Sequence, residues 1–211
     1  MTIHEPMTLA TDYALGGVTA WLSVLLFKSS HASQRLWALA FAALALGAFL
    51  GGTWHGFVQN NLLWKATVLS VGVASFGMMA GSAFATTRSP RRVALIALAA
   101  IVLAIYAGWM LFHDEFIFVV IDTAIAFAVV TALHVWRWNG WILLGIAVSV
   151  AAALVQASGF APHPNFNHND LYHVIQIAAM VLLYRGARRL TDWAPRRPSW
   201  AAPIVPPPSA R

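Results

Sequence analysis

The residues best suited to chemistry lie in one short stretch, Asn167-His168-Asn169-Asp170-Leu171-Tyr172-His173, directly before an apolar run from Val174 to Tyr184. Two imidazoles, a carboxyl and two amides in seven residues supply metal ligands, acid–base groups and helix-capping oxygens. Such groups at the edge of a membrane span normally face the protein interior or a wet cavity, so they mark a candidate site. Neutral imidazole is the commonest zinc ligand, and a catalytic zinc takes three protein ligands plus a water. Without cysteine, the chain has no thiolate to offer a metal, and disulfides and iron–sulfur clusters are excluded. A metal here would rest on histidine and carboxylate.

The elements that must position these groups are membrane helices. Hydrophobic residues make up 60% of the 211-residue chain and charged ones only 9%, against roughly 25% charged in soluble domains. The charges fall between apolar runs of membrane-spanning length, and no alternating strand pattern is present. An all-α, multi-pass membrane protein of seven spans is therefore expected. The spans are read as Asp12–Phe27, Leu36–Phe57, Leu62–Ala85, Val93–Phe112, Phe116–Trp136, Trp141–Ala157 and Asp170–Ala187. The N-terminal residues lack a basic region, so no cleaved signal is read. Residues 1–192 form one domain, and 193–211 read as a proline-rich, disordered tail.

Lys and Arg fix the expected orientation, because cytoplasmic loops are enriched in them. Twelve of the thirteen fall on one side of this topology, and only Lys65 lies on the other, together with Glu5, Asp12, Asp114, Glu115 and Asp170. The N-terminus is thus expected outside and the C-terminus inside. The net charge of +6 is then a topology signal with an attraction to anionic lipid, and no nucleic-acid partner is indicated. The pairs Gly47/Gly51, Gly52/Gly56 and Gly77/Gly81 are spaced for close helix packing. Trp109, Trp136, Trp138 and Trp141 sit near span ends as interfacial anchors.

This topology brings His55, near the outer end of the second span, to the depth of His173. A third metal ligand is expected from His168, Asp170 or Asp122, with Asp122 or Asp170 as proton acceptor. Asn167 or Asn169 is the expected N-cap, which leaves His168 free to bend inward. Asp12 is read as capping the first span, and Asn169, His173 and Gln176 as one polar stripe. His134 is read as interfacial, His4, His31, His113 and His163 as loop residues, and Ser70 and Ser75 as bonded to their own helix.

Seven spans with an outside N-terminus, a histidine closing the second and Asn-Asp-Leu-Tyr-His opening the seventh resemble the alkaline ceramidase and progestin/adiponectin receptor superfamily. The resemblance implies zinc held by a second-helix histidine and an His-x-x-x-His pair on the seventh, with a serine and an aspartate activating water against a lipid amide. His55 and His173 match two of those ligands; Asn169 stands where the third would be, with His168 one position away. Gly51 replaces the serine, and Leu62–Ala85 holds no aspartate. The leading expectation is a zinc-dependent hydrolase of a lipid amide or ester. A non-enzymatic lipid-binding or receptor-like protein is the alternative, followed by a haem protein with His55 and His173 as axial ligands. A retinal pigment is disfavoured, because neither Lys28 nor Lys65 is in the seventh span.

Overall fold

The computed structural model describes residues 3–194, and these form seven helices. They are α1 (Pro6–Phe27), α2 (Ala32–Gly56), α3 (Asn61–Thr86), α4 (Ser89–Met110), α5 (Ile117–Arg137), α6 (Gly140–Ser158) and α7 (His168–Ala187). Local chemistry sets their ends. Pro6 opens α1 and Pro90 lies in the first turn of α4, where a missing N–H costs nothing. The side chains of Asn60, Asn139 and Asn167 accept N–H bonds in the first turns of α3, α6 and α7. Gly159 closes α6 at φ 69°, a conformation that glycine adopts without steric cost.

Helices α1 to α6 are each long and apolar enough to cross a membrane. The seventh is comparable in length but less apolar, because its polar residues concentrate in the first turns. Short connections make successive helices antiparallel. α1 packs between α2 and α7, α3 joins α2 to α5, and α6 closes the ring between α5 and α7. α4 lies outside this ring against α3 and buries only Ala99, Tyr106 and Met110. Its Val93, Ile101 and Ile105 are exposed. The acidic end of the bundle holds the starts of α1, α3, α5 and α7, and the basic end holds the starts of α2, α4 and α6.

Small residues set the helix spacings, as their periodicity predicts. Gly47 and Gly51 face Thr67 and Ser70 of α3, while Gly52 and Gly56 face Asp12, Tyr13 and Leu9 of α1. Gly77 and Gly81 lie on the α2 backbone: a Cβ on Gly77 would stand 2.8 Å from the Leu36 carbonyl oxygen and 2.9 Å from the Ala40 nitrogen. Gly77→Val is therefore expected to destabilise the bundle by about 1–3 kcal/mol. Gly47→Ala, whose Cβ would have 3.5 Å to its nearest neighbours, is expected to melt close to wild type. Thermal melts of both variants in one detergent check the contrast.

The segment after α7 folds back over the basic end. Asp192 accepts N–H bonds from Ala32 (2.9 Å) and Ser33 (2.8 Å) at the start of α2, and Gln34 donates to the Arg188 and Leu190 carbonyls. The Trp193 N–H bonds Phe84, so the expected tail begins with an anchored residue; 195–211 lie outside the described residues. Burial alone would raise the Asp192 pKa, but the two backbone N–H bonds and nearby His31 outweigh it and hold the carboxyl below its ordinary value. A folded pKa below the unfolded one stabilises above the unfolded value, near ~3.9, and that stabilisation is lost as pH falls through the folded value. Asp192→Ala is expected to cost about 1 kcal/mol at pH 7, the worth of a helix N-cap. Melting temperatures of the variant and wild type should converge at low pH.

Candidate functional site

The polar groups converge at the acidic end, between α1 and α7. His173 Nε2 lies 3.1 Å from Asp12 Oδ1 and its Nδ1 lies 3.0 Å from Thr11 Oγ1. One turn toward the end of the bundle, the Thr8 hydroxyl donates to Asp170 Oδ1 at 2.8 Å. Asp170 Oδ2 accepts the Asn167 N–H at 2.7 Å, and Asn167 Oδ1 accepts the Asn169 and Asp170 N–H groups, completing a capping box. The network is closed to solvent, with Asp12 5%, His173 7% and Asp170 1% exposed.

The helix register explains the convergence. Because α1 starts at Pro6, Asp12 lies in its second turn instead of capping it as expected, and Thr8, Thr11 and Asp12 share a face at i, i+3 and i+4. Asp170 and His173, three residues apart, present the matching face of α7. Gly52 allows the approach from α2, since a Cβ there would stand 2.9 Å from Asp12 Cβ. Thr8 and Thr11 escaped the sequence reading because the first span was begun at Asp12; Pro6, a typical first helical residue, was the signal that extends it.

The arrangement links two protonation states. Thr11 Oγ1 also reaches the Met7 and Thr8 carbonyls, at 3.0 and 3.1 Å, but carries one hydrogen. If that hydrogen goes to His173 Nδ1, then Nε2–H donates to an Asp12 carboxylate. If it goes to a backbone carbonyl, then Nδ1–H donates to the hydroxyl, and a protonated Asp12 donates to Nε2. One proton added at Asp12 thus inverts the imidazole tautomer and turns the hydroxyl. Hydroxyl, imidazole and carboxylate in this order are also the parts of an activated nucleophile.

The other expected ligands lie elsewhere. His55 Nδ1 pairs with Glu5 Oε2 at 3.1 Å, on the α2 side of α1. His168 is half-buried at the start of α7 and makes no side-chain hydrogen bond among the described residues. Asp122 lies on α5, 3% exposed, with neither carboxyl oxygen hydrogen-bonded among the described residues. Among those residues no three His, Asp or Glu side chains are grouped to hold a metal ion. A catalytic zinc needs three protein ligands, so the donors present do not fit one: Asp12 and His173 make a pair without a third.

His134 lies in the last turn of α5, but packed inside the bundle: it is fully buried, with Nε2 3.0 Å from the Ser82 hydroxyl. Ser70 bonds its own helix as expected, but the Ser75 hydroxyl has no partner among the described residues. The polar stripe of α7 divides between neighbours: Asn169 accepts from Gln156, Gln176 donates to Ser149, and His173 faces α1.

Clefts indent both ends of the bundle. One of about 400 Å³ at the acidic end is lined by Trp54, Gln59, Asn60, Asn61, Trp64 and Asp114. There the Lys65 side chain, with Asn61, holds the Asp114 carboxyl below its ordinary pKa. The other, about 210 Å³, is at the basic end. Neither is lined by Asp12 or His173.

No curated protein and no solved structure matches the chain. One family model does, that of the family of unknown function DUF6962, over residues 7–192. That stretch runs from the first turn of α1 to the Asp192 cap and takes in all seven helices. With most of its length matched, the chain belongs to the DUF6962 family.

Proposed function

We propose that the protein is an integral membrane protein of seven spans, N-terminus outside and C-terminus inside. In this reading the Thr11–His173–Asp12 centre performs acid–base chemistry on the amide or ester bond of a membrane lipid. The observation that carries it is the placement of both His173 nitrogens within 3.1 Å of a hydroxyl and a carboxylate in a buried site. Thr11 Oγ1 bonds the acyl carbon as His173 takes its proton, and His173 gives that proton to the leaving amine or alcohol as the amide or ester bond breaks. Water then cleaves the acyl-threonine by the same route, while Asp12 orients the ring and stabilises its charged form. The resemblance to the ceramidase and progestin/adiponectin receptor superfamily supports the substrate class. Zinc enters only as a question of content, because the donors lack a third ligand.

A second reading, a non-enzymatic lipid-binding or receptor-like protein, is favoured by the closure of the centre, which neither cleft reaches. One experiment separates the two. Purified protein in lipid nanodiscs is offered fluorescent N-acyl amide and acyl ester lipids, and zinc is measured by elemental mass spectrometry on the same sample. Turnover lost in His173→Ala and Thr11→Val supports the hydrolase. Saturable lipid binding without turnover supports the second reading. Turnover unchanged in both variants sinks the proposed centre.

A further inference from the structure

The cleft at the basic end lies on the opposite side of the bundle from the acid–base centre and has a different chemistry. It is lined by Thr86, His134, Arg137, Asn139, Arg189 and Thr191, among others, and no carboxylate lines it. Two guanidiniums in one small cleft favour an anion. Both are held in place: Arg137 donates to the Thr86 carbonyl at 3.0 Å, and Arg189 stacks 5.4 Å from the centre of the Trp141 ring. Asn139 is the N-cap of α6, so that helix directs its positive dipole end to the same place.

A second, independent feature points to a ligand. His134 is 0% exposed, its Nε2 is satisfied by Ser82, and its Nδ1 has no hydrogen-bond partner among the described residues. A buried ring nitrogen without a partner is costly and therefore rare. A ligand oxygen accepting from Nδ1–H would satisfy it, with the tautomer then set by Ser82 donating to Nε2. The volume, about 210 Å³, admits a tetrahedral oxyanion with a short substituent and excludes a whole lipid, whose chains would lie outside along the helices.

We propose that this cleft binds a phosphate group, with Arg137 and Arg189 on its oxygens and His134 donating from within. Free phosphate esters and the headgroups of anionic lipids both carry this chemistry. In the orientation proposed above the cleft opens at the cytoplasmic interface, where anionic lipids supply such groups. The site itself does not depend on the hydrolase reading.

The test uses the full chain in neutral detergent, with binding followed by native mass spectrometry and by the shift in melting temperature. The probes are dioctanoyl phosphatidic acid, dioctanoyl phosphatidylcholine and inorganic phosphate. Phosphatidic acid is expected to bind saturably, at least about tenfold tighter than phosphatidylcholine, since its terminal phosphate offers more charge and more free oxygens for charge-assisted bonds and carries no choline cation to crowd the two guanidiniums. The double variant R137Q/R189Q should weaken it at least about tenfold, while Arg35→Gln with Arg91→Gln, at the same end but not lining the cleft, should not. Should R137Q/R189Q fail to fold, Thr191→Glu places a carboxylate at the cleft and is expected to give the same loss. Competition by inorganic phosphate at equal strength identifies a soluble phosphate as the natural source, and failure to compete identifies the lipid headgroup. No saturable binding of any phosphate probe, or equal weakening by the remote arginine pair, overturns the proposal.

Discussion

Asp12→Ala is expected to destabilise the bundle by about 2–4 kcal/mol, the cost of leaving a buried ring nitrogen without its partner together with the cavity left behind. The variant leaves His173 Nε2 facing a void in a site where neither side chain is more than 9% exposed. Asp12→Asn separates stability from chemistry. Its amide still bonds Nε2 and fills the same volume, so a loss of only about 1–2 kcal/mol is expected. The carboxylate is gone, however, and with it the negative charge that stabilises the imidazolium, so lipid turnover should fall at least about 100-fold. Melting curves and turnover on the same nanodisc preparations check both halves. An Asp12→Asn variant as unstable as Asp12→Ala would show that the charge, not the hydrogen bond, holds α1 to α7.

Asp170→Ala should be as damaging, because one carboxyl serves two elements. Oδ2 completes the capping box of α7 with the Asn167 N–H, and Oδ1 ties α7 to α1 through Thr8. Loss of the cap costs about 1 kcal/mol. Loss of a buried bond to a charged acceptor costs about 1.5–3 kcal/mol. Together about 2.5–4 kcal/mol is expected. Thr8→Val removes only the second part, and a double-mutant cycle of the two variants should show coupling, because they share one contact. Additive effects would mean that Asp170 acts on α7 alone.

Much of this molecule is legible in its sequence. Apolar runs between charged turns placed six of the seven helices to within about four residues, because span length and the cost of buried charge leave few alternatives. The one large boundary error, α1 begun at Asp12 instead of Pro6, arose from treating polar residues as the end of a span. Those residues, Thr8, Thr11 and Asp12, face α7 inside the bundle, where each finds a partner. Hydropathy registers what a side chain is, not what it meets. The importance of His173 was legible from its neighbours in sequence, but its partner depended on the rotation of α1, which no local signal specifies. The same limit explains His55: depth alone placed it level with His173, while its side of α2 turned it toward Glu5. The burial of His134 was not legible, because a histidine near a helix end carries no sign of what covers it, and only tertiary packing shows that Ser82 and the basic-end cleft enclose it.

The account rests on His173 being shared between a hydroxyl and a carboxylate, and nitrogen NMR of the His173 ring in detergent-solubilised protein measures this directly. A neutral imidazole in a single tautomer is predicted at alkaline pH, with Nε2 protonated toward Asp12. In Thr11→Val the Nδ1 resonance should move as that nitrogen loses its donor. Averaged resonances typical of a solvent-exposed imidazole, or a spectrum unchanged by both Asp12→Asn and Thr11→Val, would contradict the proposed centre.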